Sequence, residues 1–187
     1  FAKEICSTNG LLGELTRYVT RMPGKRIRPA LALLSAGVVA PHRNGNGSRA
    51  VGAKAVRLAA AVEMIHTATL LHDDVIDGAS LRRGLSSLNA KWGDTLSVLS
   101  GDYLYSKAFC LLSELKNERV LSLMSSTAST VCEGEVAQIH HQHDLALTRQ
   151  KYLKIIQWKT ASLMGAASES GALLGGGLTA SAVLRRN

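Results

Sequence analysis

The chain has 187 residues, enough for one large domain with a sizeable core and too few to call for two. Hydrophobic residues make up 46% of it, aromatics only 4%, and there are 3 prolines, so the expected class is a helical core of Leu, Ala and Val with almost no strand signal. A net charge of +8 suits an anionic partner, but there is no block of five like charges and no aromatic interleaving with Lys and Arg, which argues against nucleic acid and leaves a membrane surface or a phosphorylated metabolite.

In chain order, apolar residues recur at helical spacing from Leu11 to Val19 and again from Arg28 to Val39, where Pro29 suits a first helical turn. Between them, Pro23-Gly24-Lys25-Arg26-Ile27-Arg28-Pro29 gathers cations where a loop enters a helix. Free N–H groups there favour phosphate, and Lys25 and Arg28 can add charge-assisted hydrogen bonds; a plain solvated turn is the alternative. Pro41 to Ser48 reads as a surface loop. A long helix is expected from Arg49 to Asp77, then a polar connection over Arg82 to Trp92. Asp94 or Thr95 can cap a helix running to Glu114. Further helices are expected at Asn117 to His141, Thr148 to Gly175 and Thr179 onward. Gly175 to Gly177 lacks the Lys-Ser/Thr of a P-loop and reads as a flexible connection. With no internal repeat or linker, the expectation is an all-α bundle packed about a shared centre.

Leu163 to Leu184 is apolar enough to raise a membrane span, but Glu169 and the glycines at 165, 171 and 175–177 favour a buried helix ending in a loop. Cys6, Cys110 and Cys132 are far apart and odd in number, as free thiols in a reducing compartment would be. No secretory leader pattern is present, so the cytoplasm is expected; the start at Phe1 rather than Met implies a native N-terminus further upstream.

The densest chemistry lies between Leu70 and Gly84, where three carboxylates meet two arginines at the end of an apolar helical run. Asp73 and Asp77 share a helix face, with Asp74 about 100° round. Like charges that close repel unless a cation lies between them, and hard oxygen donors favour Mg²⁺, which completes its shell with water and phosphate. A merely solvated acidic end is a poor alternative, because acids at a helix C-terminus oppose the macrodipole. His66, Leu70, Asp73 and Asp77 form one stripe, which takes His66 from an ordinary core histidine to a candidate ligand-binding one. Arg82 and Arg83 suit two different phosphate groups, unless one is spent on a salt bridge to Asp77. Lys159 and Thr160 offer another cation and hydroxyl. His140, His141 and His143 have no cysteine or acid at a recognised zinc spacing, and no Ser-His-Asp arrangement can be argued.

Taken together, these motifs resemble those of the trans-isoprenyl diphosphate synthases, especially the long-chain polyprenyl members. The likeness runs from about Gly24 to Gly175. It rests on Gly-Lys-Arg-Ile-Arg-Pro at Gly24 to Pro29, the run Glu63 to Asp77, Arg-Arg-Gly at Arg82 to Gly84, Gly-Asp-Tyr-Leu at Gly101 to Leu104, and Lys159-Thr160. The resemblance implies an isoprenoid-synthase helical bundle around a central cavity, usually a homodimer. It implies head-to-tail condensation of an allylic diphosphate, such as farnesyl diphosphate, with isopentenyl diphosphate. Asp73 and Asp77 would bind Mg²⁺ on the allylic diphosphate, with Asp74 the middle acid of that metal motif. Arg82, Lys159 and Thr160 would hold the same diphosphate, and Lys25, Arg28, His66 and Arg83 isopentenyl diphosphate. The catalytic set would be Asp73, Asp74, Asp77, Arg82 and Lys159, with the released diphosphate the usual suggestion for the base.

Short-chain members carry bulky aromatics five and four positions before the first acid; here Ala68 and Thr69 stand there. An open tunnel is expected, with a product longer than geranylgeranyl and a peripheral membrane contact for its release. Two departures stand out. The family's second Asp-Asp-x-x-Asp is missing before Asn187, which implies a piece of a longer synthase or a short subunit needing a partner. Pro23 replaces a usual Gly. A non-catalytic regulatory subunit and a class I terpene cyclase remain as other readings, although a cyclase usually lacks the Gly-Lys-Arg-x-Arg-Pro and Arg-Arg-Gly elements.

Overall fold

A computed structural model describes residues 2–5, 10–40 and 52–176. The expected loop at 41–48, Cys6, Gly177 and the helix from Thr179 lie outside them. The described chain is helical apart from one two-stranded hairpin, and it divides into two compact units, 1–27 with 60–114 and 28–59 with 115–187.

The first unit holds α1 (Ala2–Ile5), α2 (Gly10–Arg21), the C-terminal two thirds of α4 (Ala53–Ile76), a hairpin of β1 (Leu81–Arg82) and β2 (Leu85–Ser86), α5 (Leu88–Trp92) and α6 (Asp94–Glu114). α6 is its spine, with α1, α2 and α5 packed on it. α2 buries Gly13, Leu15, Thr16 and Val19 and turns Glu14, Arg17 and Arg21 to solvent. On α4, Val62, Met64, Ile65, Ala68 and Leu71 are buried, so its apolar run is core. Two small groups let α6 approach α4: Ser97 donates to the Leu71 carbonyl at 3.2 Å, and Gly101 lies against His72 so tightly that a Cβ there would strike the imidazole.

The polar connection expected at Arg82 to Trp92 is built as the hairpin and α5. Arg82 pairs with Leu85, so Arg83 and Gly84 are the two turn residues, at φ 52° and 82°. Two successive left-handed residues make a type I′ turn, whose twist matches the strands. Ser87 then caps α5, its Oγ accepting from the Ala90 N–H at 3.4 Å.

The second unit contains α3 (Ile27–Val39) from Arg28 onward, the start of α4, α7 (Glu118–His140), α8 (Arg149–Ile156) and α9 (Ser162–Leu174). Asn117 and Thr148 cap α7 and α8 through their side-chain oxygens. α7 packs along α9. Gly171 and Gly175 meet the backbones of Ala32 and Ala36, where a Cβ would overlap the carbonyl oxygens. Gly175 therefore closes α9 in tight contact, not as the flexible connection expected. The single helix expected over Thr148 to Gly175 is also interrupted, by a π-helical turn at Gln157–Ala161 in which the Ser162 N–H reaches the Gln157 carbonyl.

No described helix is long and apolar enough to cross a membrane. Cys110 and Cys132 are free and exposed, as expected of thiols.

Candidate active site

The acids sit where α4 stops, and the backbone shows how. The Ala79 N–H bonds back to the Asp74 carbonyl at 2.9 Å and the Gly78 N–H to Val75 at 3.2 Å, with Gly78 at φ 61°. This is a Schellman ending, which makes Asp77 the C-cap. Asn89 Nδ2 donates to the carbonyls of Asp74 and Ala79, both at 3.2 Å, and Ser87 Oγ donates to Ala79 at 2.6 Å. α5 thus ties down the end of α4.

Three carboxylates at the negative end of a helix need positive charge, and the hairpin brings it. Asp74 is fully buried, and both of its oxygens accept from Arg82 Nε at 2.7 Å, with Nη2 at 2.5 Å. The hydrogen bond to Asp74 raises the Arg82 pKa, against burial, and the charges of Asp74, Asp73 and Asp77 add to it. The salt bridge considered for Asp77 therefore falls on Asp74, and the acid expected among the metal ligands is the partner of Arg82. Asp73 is half-buried and Asp77 exposed, one turn apart.

Among the described residues no group of three or more His, Cys, Asp or Glu gathers closely enough to hold a metal alone. Asp73 and Asp77, one turn apart, offer the hard oxygen donors that a divalent cation combines with water and phosphate oxygens. His140, His141 and His143 do not belong to such a group among the described residues. There His141 Nδ1 pairs with Asp144 at 3.1 Å, and the Ala146 N–H, ahead of His141, lowers the Asp144 pKa.

A cleft beside this helix end is lined by Arg26, Glu63, His66, Arg82 and Arg83 over a floor that includes Leu70 and Leu71. It brings together His66, Arg82 and Arg83 from the expected set. Lys25 is exposed and does not line it, and Arg28 opens the second unit. Arg26 was missed. It stands at φ 51° and pairs with Glu63, which is 5% exposed. A lone carboxylate in the apolar run Leu58 to Leu71 was its one sequence signal, since a buried charge needs a partner. Arg83 donates to the Pro23 carbonyl, and a Cβ on Gly24 would come 2.6 Å from its Nη1. The loop of the Gly-Lys-Arg motif is thereby fastened to the hairpin.

Lys159 and Thr160 lie on the π turn of the second unit. Lys159 pairs with Glu135 of α7, whose approach Gly134 permits: a Cβ there would lie 2.6 Å from the Lys159 nitrogen. Ala68 is fully buried, and Thr69 is half-buried with its hydroxyl on the His66 carbonyl at 2.7 Å.

Comparison with known proteins decides what this arrangement belongs to. Residues 9–185 match the model of the polyprenyl synthetase family. The chain belongs to that family. Among its relatives, octaprenyl diphosphate synthase of Escherichia coli (strain K12) is 40% identical over 166 residues, covering 89% of this chain and 49% of that protein. Geranylgeranyl diphosphate synthase of Methanosarcina mazei is 39% identical over 170 residues, covering 88% and 50%, so relatedness alone does not fix product length. The fold agrees with the crystal structure of a polyprenyl synthase from Caulobacter crescentus CB15 complexed with calcium and isoprenyl diphosphate. There the identity is 40% and the TM-score 0.88, over 98% of this chain and 54% of that one. The chain spans about half the length of the curated relatives it matches.

Proposed function

We propose that the protein is a polyprenyl diphosphate synthase, or part of one, that joins isopentenyl diphosphate to an allylic diphosphate head to tail and gives a long all-trans prenyl diphosphate. The observation that carries this reading is the Asp74–Arg82 fork, which sets a fixed guanidinium beside Asp73 and Asp77 at the rim of a cationic cleft. The whole chain is read as one prenyltransferase domain of a cytoplasmic homodimer.

Asp73 and Asp77 would hold Mg²⁺, which supplies Lewis-acid charge to the diphosphate when bound. Asp74 acts by aiming Arg82, whose Nη1 keeps two N–H groups for phosphate oxygens. By the family resemblance, Lys159 and Thr160 would serve the leaving diphosphate. Cleavage of the allylic C–O bond concentrates negative charge on that group, so cations that grip it more tightly as charge develops lower the barrier. Arg83 and His66 line the cleft for isopentenyl diphosphate, with Lys25 and Arg28 from the neighbouring loop and helix start, and Arg26 joins them.

The test is turnover of isopentenyl diphosphate with farnesyl diphosphate and Mg²⁺. Prenyl product, its loss with EDTA and a drop of at least about 100-fold in Asp73→Asn are expected. Diphosphate release without uptake of isopentenyl diphosphate would identify a terpene cyclase instead. Product only on adding a second protein would make this chain a subunit, in keeping with the name of a relative, heptaprenyl diphosphate synthase component 2 of Geobacillus stearothermophilus, 37% identical over 93% of this chain and 52% of that protein. For product length, Thr69→Phe and Ala68→Phe should each shorten the chain; chromatography showing an unchanged length in folded variants would refute the open-tunnel reading. Thr69, being half-buried, is the safer of the two positions.

A further inference from the structure

In the first unit, α2 and α5 border a second groove, lined by Glu14, Arg17, Tyr18, Arg21, Lys91 and Trp92. None of the side chains assigned above to condensation lines it. One wall is rigidly assembled. Tyr18 and Trp92 meet edge to face with ring centroids 4.9 Å apart, and the Tyr18 hydroxyl donates to the Ser86 carbonyl at 2.8 Å. The Lys91 ammonium lies 4.6 Å from the Tyr18 centroid and 4.3 Å from that of Trp92. Both rings therefore hold this cation in place, and their occupied faces leave little for a flat aromatic ligand to stack on.

The other wall carries an excess of positive charge. Arg17 and Arg21 are exposed and four residues apart on α2, a spacing at which like charges oppose the helix. Neither has an ion-pair partner among the described residues, and Glu14 is the one carboxylate lining the groove. Two forked guanidiniums and a pinned ammonium around a small concavity match the oxygen-rich surface of a phosphate far better than an extended or aromatic ligand.

We propose that this groove binds a compact phosphate or diphosphate group, at a site separate from the acidic cleft. The same chemistry is carried by free diphosphate and by an anionic lipid headgroup. The proposal stands whether or not the catalytic reading does, because it concerns binding alone.

Equilibrium dialysis of labelled inorganic diphosphate against the protein in EDTA, and flotation with phosphatidylcholine vesicles with and without phosphatidylglycerol, test both sources. The comparison is Arg17→Gln/Arg21→Gln, with Lys91→Gln as a second variant; all three side chains are exposed, and thermal melting verifies that the variants fold. Loss of one diphosphate site per chain, or a fall in its affinity of about tenfold or more, supports the site and assigns it to the free anion. Flotation that needs phosphatidylglycerol and disappears in the variants supports it and assigns it to the headgroup. Isotherms and flotation that are the same in the protein and in both folded variants overturn it.

Discussion

Each unit sets a cation proposed above to bind diphosphate against a carboxylate, but by different means. In the first, a flat guanidinium grips both oxygens of a fully buried Asp74, and a hairpin turn fixes where Arg82 sits. In the second, a flexible ammonium touches one oxygen of Glu135 from a helix locally widened to a π turn. The cations are alike in exposure, 22% for Arg82 and 23% for Lys159, and the carboxylates differ, 1% for Asp74 against 14% for Glu135. The first pair is built into the fold. If Lys159 serves a ligand, the second pair can part for it more readily, because its carboxylate keeps some contact with water.

The sharpest way to break this contrast is Asp74→Ala. It strands Arg82 beside the end of α4 and should cost about 3 kcal/mol, read as a lowered urea midpoint at unchanged m-value. Arg82→Lys should fall between, because an ammonium cannot reproduce the two-pronged geometry. A near-neutral Asp74→Ala would make the two pairs equivalent and remove the structural role given to the first.

Gly134→Ala comes next. The added methyl would meet the backbone of the π turn, which can yield only if α7 and the turn separate, so a cost of about 1–3 kcal/mol is expected in thermal melts. Gly101→Ala provides the control from the first unit. Its methyl meets the His72 ring, a side chain able to rotate, and the smaller loss expected there would show that backbone contact sets the cost.

Much of this was legible in the residues. The spacing of Asp73 and Asp77 on one face, the extent of α6 and α7 and the all-helical class follow from periodicity, although α6 already includes Asp94, one of the two caps expected for it. The pairing of Arg82 was not legible, because it depends on a I′ turn whose first residue is Arg83, where Asn, Asp or Gly would have announced the hairpin. Nor was the π turn, since one extra residue within Gln157–Ala161 leaves the apolar pattern of α8 and α9 nearly continuous. Arg26 was passed over among its neighbours because charge alone cannot tell which of three clustered cations turns inward to a buried Glu63. The metal, the substrates and the product length rest on the family resemblance, and the fold alone does not reach them.

The smallest effect on stability is expected where the proposed effect on turnover is largest. Lys159→Ala parts a pair whose carboxylate is less buried than Asp74 and should cost less than Asp74→Ala in thermal melts. If Lys159 holds the leaving diphosphate, the same variant should lose at least about 100-fold in turnover, because its cation acts on charge that develops only as the bond breaks. Glu135→Gln separates the two roles: it removes the exchange partner and keeps the lysine, so its stability and turnover should both stay closer to those of the unaltered protein. A Lys159→Ala protein that unfolds readily but turns over normally would reverse the assignment, placing the structural pair in the second unit and leaving the π turn without a part in the chemistry.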